Sequence, residues 1–321
     1  MTDACLLSCD WGSTSFRLRA VTGAGEIRAE RRSPHGTSAV GVPGLSVAER
    51  DRRFAAVLVA EIAALEEATG EVLAGLPVVV SGMATSAHGW VELPYAVAPL
   101  PLDGKGLVTA QRSVCGHEVT LVSGIRTVRD VMRGEECELL GLLRSQPAYG
   151  KGAVLVLLPG THAKHVRLHD GRLVDFRTAM SGELFGLLKE HSVLRHSFVV
   201  TKQGLASADS FLAGLREVAS GGLVAALFQV RVRTLLAGAS AADSAAFLDG
   251  LLLGDELRGL DLAPGQRVLV GATGTRGEHY RLALAELYPQ ACVSSLAETE
   301  LDRLPVLGHL AVLAAVGKGD Q

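Results

Sequence analysis

Four short apolar runs along the chain end abruptly in turns of small residues. Leu6-Leu7-Ser8-Cys9 leads into Asp10-Trp11-Gly12-Ser13-Thr14, and Val78-Val79-Val80 into Ser81-Gly82-Met83. Val154 to Leu158 leads into Pro159-Gly160-Thr161-His162, and Val268-Leu269-Val270 into Gly271-Ala272-Thr273-Gly274. A continuous apolar run of about four to eight residues fits a strand buried on both faces. Between these runs, apolar positions recur at helical spacing. Phe54 to Ala68 and Val128 to Leu143 each predict a helix, and Ser207 to Gly238 predicts two. Strands alternating with helices predict an α/β protein with mixed or parallel sheets.

The stretch Arg144 to Gly152 places Pro147, Gly150 and polar residues after a helix and before a strand, as a domain boundary would. It divides the chain into lobes 1–148 and 149–321. Each lobe opens with a strand and a small-residue turn, so one plan serves twice without a visible sequence repeat.

Composition narrows the classes. The 321 residues are 48% hydrophobic and 20% charged, which supplies a large core and excludes wholesale disorder. A formal charge of -3 gives no electrostatic drive toward nucleic acid or anionic membranes. The expected partner is therefore a small molecule, and self-association into a homo-oligomer is left open. Cys5, Cys9, Cys115, Cys137 and Cys292 are scattered without a CxxC pair. They fit free thiols in a reducing cytoplasm rather than a disulfide framework or zinc site. Leu7-Ser8-Cys9 follows too short a run to be a cleaved leader. Leu304 to Val316 is shorter than the roughly 20 residues that span a bilayer.

The turns carry the candidate chemistry. After the first, Phe16, Leu18 and Ala20 alternate with Arg17 and Arg19, which predicts a β-hairpin. Backbone N–H groups and hydroxyls of Gly12, Ser13 and Thr14 could cradle phosphate oxygens. Asp10, at the strand end, could hold Mg²⁺ directly or through water. Gly160 and Thr161 repeat that logic in the second turn. His162 and His165 would point to opposite faces of the following strand, which argues against a metal cluster. Glycines of the third turn, Gly271 and Gly274, could let a nucleotide base or ribose lie against backbone. Its spacing is neither a dinucleotide fingerprint nor a Walker A loop.

One carboxylate sits against the pattern. On a helix from Val128 to Leu143, Val128, Val131, Met132, Leu139, Leu142 and Leu143 form a stripe, with Glu135 near its middle and Glu136 toward its edge. Arg129, Asp130, Arg133 and Cys137 would point away. A buried carboxylate needs a partner or a task. Glu135 is thus either paired with an inward arginine such as Arg17 or Arg126, or a general base at a cleft.

Together these segments resemble the 2-dehydro-3-deoxygalactonokinase family. The carrying motifs, in order, are Asp10 to Thr14 with Arg17, Ser81-Gly82-Met83 leading to Gly89-Trp90-Val91-Glu92-Leu93-Pro94-Tyr95, and Ser123-Gly124-Ile125-Arg126 through Glu136. Pro159-Gly160-Thr161-His162 with Lys164, and Met180-Ser181-Gly182-Glu183-Leu184-Phe185 followed by His191-Ser192, complete the set. The sequence departs from the family pattern at Ala163, His165 and Ala179.

The resemblance implies a two-lobed actin-like, ribonuclease H-like ATPase fold with a nucleotide cleft between lobes. It implies ATP and Mg²⁺, and phosphorylation of the 6-hydroxyl of 2-dehydro-3-deoxy-D-galactonate in galactonate catabolism. The implied roles are Glu135, Asp10 and Arg17 in catalysis, with Asp10 also orienting Mg²⁺. Arg126, Ser81, Gly82, Met83 and Glu183 would bind the sugar acid. Gly12, Ser13, Thr14, Gly160, Thr161, Lys164, Gly271 and Gly274 would bind the nucleotide. Either Glu135 or Asp10 could be the base, and either Arg17 or Arg126 could hold the substrate carboxylate. The competing classes are an exopolyphosphatase-like or nucleotide phosphohydrolase and a non-catalytic ATP-binding regulator on the same fold.

Overall fold

A computed structural model describes residues 3–199 and 208–317. They form two compact units. One comprises residues 3–152, 168–175 and 299–317, the other residues 153–167 and 176–298. The chain therefore returns to the first unit with its last helix.

The first unit is built on a mixed sheet of β1 (Ala4–Trp11), β2 (Phe16–Thr22), β3 (Ile27–Ser33), β4 (Val78–Gly82), β5 (Thr109–Val114) and β6 (His117–Val122), in the order β3-β2-β1-β4-β6-β5. The β1–β2–β3 meander is antiparallel, whereas β4 runs parallel to β1 and β6 parallel to β4. Alternation along β1 and β2 gives the sheet two faces. Leu7, Cys9, Trp11, Phe16 and Leu18 join Phe54, Leu58 and Ile62 of helix α1 (Val47–Thr69) in one core. A Ser46–Glu49 capping box starts α1, and Gly70 in the left-handed region ends it.

The other face carries Ser8, Asp10, Arg17 and Arg19. Two further helices of this unit, α2 (Glu135–Ser145) and α8 (Glu298–Val316), cross at glycines. A Cβ on Gly141 would overlap the Leu304 backbone, and one on Gly308 the Cys137 backbone. Ser8 bonds His309 of α8 at 2.8 Å, and buried Arg19 donates to Asp302. Burial pushes the His309 pKa down to about 3, so it packs as a neutral ring.

The second sheet joins β7 (Ala153–Leu158), β8 (Ala163–His169), β9 (Arg172–Ala179), β10 (Arg267–Val270) and β11 (Cys292–Ser295) in the order β11-β10-β7-β8-β9, with Leu100–Pro101 added beside β9. Numbered within each sheet from the meander edge, the first runs 3-2-1-4-6-5 and the second 3-2-1-4-5, so the order 3-2-1-4 is common to both. That is the shared plan expected from the two strand-and-turn openings. Helices α3 (Ser181–His191), α4 (Ala208–Gly221), α5 (Gln229–Ala237), α6 (Ala241–Arg258) and α7 (Gly274–Leu287) belong to the second unit. Leu155, Leu157, Val268 and Val270 of its sheet pack with Phe211, Leu215, Leu253, Tyr280 and Leu284. Here too a glycine pair sets a helix crossing. Gly214 faces the Phe247 carbonyl and Gly250 the Phe211 carbonyl with no room for a side chain.

All four apolar runs are strands. Two helix predictions need correction. The helix expected from Val128 begins at Glu135, because Ile125–Arg126 and Val131–Met132 pair as an antiparallel hairpin. Gly134, at φ 109°, ends the hairpin in a conformation reserved for glycine. The Ser207–Gly238 stretch carries a third, four-residue helix at Leu223–Ala226 besides α4 and α5.

Candidate active site

In the first unit, the β1–β2 hairpin turn is closed by the Gly12 N–H on the Ser15 carbonyl, at 2.9 Å. The chain after β3 clamps it. Thr37 and Ser38 donate backbone N–H groups to the Gly12 and Ser13 carbonyls at 2.9 and 3.0 Å, and the Trp11 indole donates to the His35 carbonyl. Ser13 and Thr14 remain exposed. The turn is thus rigid in backbone and free in its hydroxyls, as a phosphate cradle must be.

Asp10 and Arg17 are register partners across β1 and β2, so both project from the same face. Gly82, at φ 85°, closes the end of β4 against Asp10. A Cβ there would lie 2.9 Å from the Trp11 carbonyl and 3.2 Å from Asp10 Oδ1. Gly134 reaches the same place, its Cβ position being 3.7 Å from the Gly82 Cα. Asp10, Gly82 and the Gly134-Glu135 start of α2 therefore converge. Asp10 keeps some solvent exposure, yet the protein around its carboxyl pushes its pKa up. Arg17 and Arg19 oppose that rise, and the Glu135 charge adds to it.

The helix correction exchanges the two glutamates. Glu135 is half-buried and accepts the Arg133 N–H at 3.1 Å. Glu136, expected at the edge of the stripe, is fully buried and accepts the Gly134 N–H at 2.7 Å. Burial, reinforced by the Glu135 charge, raises its pKa to about 8, so it is largely protonated at neutral pH. Cys137, expected to point away, is buried, and Ser81 hydrogen-bonds to it. Arg17 lies 3.7 Å from Asp302, and Arg126 is exposed on its short strand. Met83 opens the 3-10 turn Met83–Thr85 after Gly82.

In the second unit, the N-terminus of α3 holds the β7–β8 turn. A Cβ on Gly182 would overlap the Gly160 carbonyl oxygen, and Glu183 N–H donates to the Thr161 carbonyl at 3.0 Å. The Glu183 carboxylate reaches His162 Nε2 at 2.5 Å. Lys164 is buried and donates to the His162 carbonyl at 2.7 Å, bracing the turn. Gly160 and Thr161 are exposed. Gly271 continues the β7 pairing through a 2.8 Å bond to the Leu157 carbonyl, and Gly274 opens α7.

Beside α7 lies a cavity of about 450 Å³, lined among others by Phe185, Asp249, Thr275, Arg276 and His279. Asp249 binds both Arg276 and, at 2.6 Å, His279 Nδ1. The His279 ring stacks on Phe211 with centroids 4.2 Å apart. Behind this wall, Glu256 accepts from Ser181, from Tyr280 at 2.6 Å and bonds His165 at 2.8 Å. Burial alone would raise the Glu256 pKa, but these bonds outweigh it and hold it low. Arg276 and His279 follow closely on the third turn, but Glu256 and Asp249 were not legible as site residues. Their partners lie tens of residues away in sequence, and no motif marks them.

The described residues contain no group of three or more His, Cys, Asp or Glu arranged to hold a metal, and no helix long and apolar enough to cross a membrane. A dedicated protein cage for a cation is therefore missing among them. Asp10, with the Glu135 charge nearby, instead fits a magnesium ion that brings phosphate oxygens and water as its remaining ligands.

A sequence profile described as 2-keto-3-deoxy-galactonokinase matches residues 10–302. A "probable 2-dehydro-3-deoxygalactonokinase" of Rhizobium meliloti is 35% identical over 284 residues, covering 86% of this chain and 87% of that protein. The 2-dehydro-3-deoxygalactonokinase of Escherichia coli is 32% identical over 277 residues, covering 84% and 85%. A crystal structure of a homologue from Sinorhizobium meliloti superposes with a TM-score of 0.79 at 31% identity, covering 97% of this chain and 99% of that one. The ADPNP-bound activator of the 2-hydroxyisocaproyl-CoA dehydratase from Clostridium difficile shares the fold alone, at a TM-score of 0.51 and 15% identity over 98% and 97% of the chains. The fold is the actin-like ATPase fold expected from the motifs. With the profile spanning nearly its whole length and two relatives above 30% identity, the chain belongs to the 2-keto-3-deoxy-galactonokinase family.

Proposed function

We propose that this protein transfers the γ-phosphoryl group of ATP to the 6-hydroxyl of 2-dehydro-3-deoxy-D-galactonate. The observation that carries the reading is end-to-end family membership, joined to the convergence of Asp10, Gly82 and Glu135 in one unit. The O6 lone pair attacks the γ-phosphorus, the bond to the β-phosphate oxygen breaks, and ADP leaves. Glu135 takes the O6 proton.

Gly12, Ser13 and Thr14 bind phosphate oxygens from the β1–β2 turn, and Gly160 and Thr161 bind them from the β7–β8 turn. Lys164 and Glu183 act by bracing that second turn. The cavity walled by Phe185 and the Asp249–Arg276–His279 cluster takes the purine nucleoside, with Gly271 and Gly274 at its approach. Its volume of about 450 Å³ suits a ligand of that class. Asp10 would hold magnesium, which when bound would neutralise charge on the phosphates. Arg17 stabilises the transferring group electrostatically from the Asp10 face. Gly82 and Met83 shape the acceptor site, and buried Ser81 supports it through Cys137. A step that consumes ATP and a small metabolite fits a cytoplasmic protein.

The test is ADP release from MgATP with the galacto acid, its gluco epimer, or no acceptor. Release only with acceptor, and a product heavier by one phosphoryl group, is expected. Equal release without acceptor makes the protein a phosphohydrolase instead. ATP binding without release makes it a regulator.

A further inference from the structure

The arginine that recognises the substrate carboxylate is not settled by Arg17 or Arg126. Arg17 is beside Asp302, 3.7 Å away. Arg126 is exposed on a strand between neighbours Val97 and Val131. A third arginine has different surroundings. Arg133 ends the hairpin directly before Gly134 and Glu135. Its guanidinium carbon lies 4.3 Å over the centre of the Tyr95 ring, and its Nη1 donates to the Thr85 hydroxyl. Thr85 is itself buried and donates to the Val122 carbonyl at 2.8 Å. That leaves its oxygen as an acceptor for the arginine. The Tyr95 ring is fixed in turn, since it lies against Gly124 where a Cβ would come within 2.9 Å of it.

These contacts immobilise the guanidinium without neutralising it. Among the described residues no carboxylate forms an ion pair with Arg133, and its buried Nε has no hydrogen-bond partner. The neighbouring Glu136 interacts with it electrostatically, but burial keeps that carboxyl largely protonated at neutral pH. A half-buried arginine held rigid by an aromatic face and a hydroxyl, with donors unused, is preorganised for an oxyanion. An acidic substrate whose carboxylate and reacting hydroxyl sit at opposite ends of a six-carbon chain needs such a group within one chain length of the base. Arg133 and Glu135 flank Gly134, and Gly134 has no side chain to obstruct the space between them.

We infer that Arg133 binds the C1 carboxylate of the sugar acid and so selects acids over neutral sugars. This rests on the sugar-acid kinase reading above. Tyr95 and Thr85 are positioning residues that act through Arg133.

The experiment measures kcat/KM with the keto acid and with the neutral 3-deoxy-hexulose that carries a hydroxymethyl group in place of the carboxylate. The wild-type enzyme is expected to prefer the acid by about 100-fold, the scale of a charge-assisted bidentate contact. In Arg133→Met the preference should collapse to below about 5-fold, through KM for the acid, with the neutral acceptor little changed. Tyr95→Leu, which leaves the charge but loosens it, should raise KM for the acid alone by about 3- to 10-fold. It serves as the test if Arg133→Met does not fold. An undiminished preference in both variants overturns the assignment. So does an equal loss on both acceptors, the signature of a merely structural residue. Wild-type enzyme that phosphorylates neither acceptor overturns the kinase reading itself.

Discussion

Replacing Glu136 by glutamine should make the protein more stable at pH 8 while leaving it almost unchanged at pH 4. The carboxyl is fully buried, one oxygen accepts the Gly134 N–H, and its pKa stands at about 8 against 4.5 when free. Below pH 4.5 the group is protonated in both the folded and the unfolded chain, and its titration contributes nothing. As pH rises beyond that, the unfolded chain releases the proton and the folded chain keeps it. Stability is therefore lost progressively until the folded carboxyl ionises near pH 8. At about 1.4 kcal/mol per pH unit the full loss is on the order of 4–5 kcal/mol, of which about 3–4 falls between pH 5 and pH 8. Glutamine keeps the shape and the acceptor for Gly134 but has no proton to lose. The assay is urea unfolding of both proteins at half-unit steps from pH 4 to pH 8. The difference between the two stability curves cancels every other titrating group. It should widen steadily with pH in favour of the variant. Parallel curves would refute the burial argument for Glu136.

Other perturbations follow from the same geometry. Glu135→Gln should lower kcat by about 10²- to 10⁴-fold with melting temperature and ATP affinity retained, as steady-state kinetics and calorimetry would report. Unchanged turnover in a folded variant would pass the base role to Asp10. Gly182→Ala pushes a methyl into the Gly160 carbonyl. It should destabilise the protein by about 1–3 kcal/mol and weaken ATP binding, read by thermal melts with and without nucleotide. Asp249→Asn frees Arg276 and His279 from their shared carboxylate. The KM for ATP should rise about 10-fold while that for the acid stays constant.

The buried strands were the most legible part of the sequence. Runs such as Val154 to Leu158 are apolar at every position because both faces are covered, and the small-residue turns that end them stand out for that reason. The doubled plan was legible from the same signal. Helix limits were not. Val131 and Met132 alternate out and in as a strand does, but their spacing from Val128 and Leu139 mimics a helical stripe. Only the left-handed backbone at Gly134 separates the two, and a glycine alone does not announce its φ. That error placed Glu135 on the buried face that Glu136 occupies. The polar clusters were invisible for another reason. His165 meets Glu256 across 91 positions and Arg19 meets Asp302 across 283, and no local pattern encodes either pairing. Nor did periodicity tell which sheet α8 would cover.

The most direct measurement is a phosphorus–proton correlation NMR spectrum of the product formed from MgATP and 2-dehydro-3-deoxy-D-galactonate. A phosphorus signal coupled to the two protons on C6 is the predicted result. Free inorganic phosphate with the acid unmodified, or a phosphorus coupled to any other carbon position, would contradict the assignment.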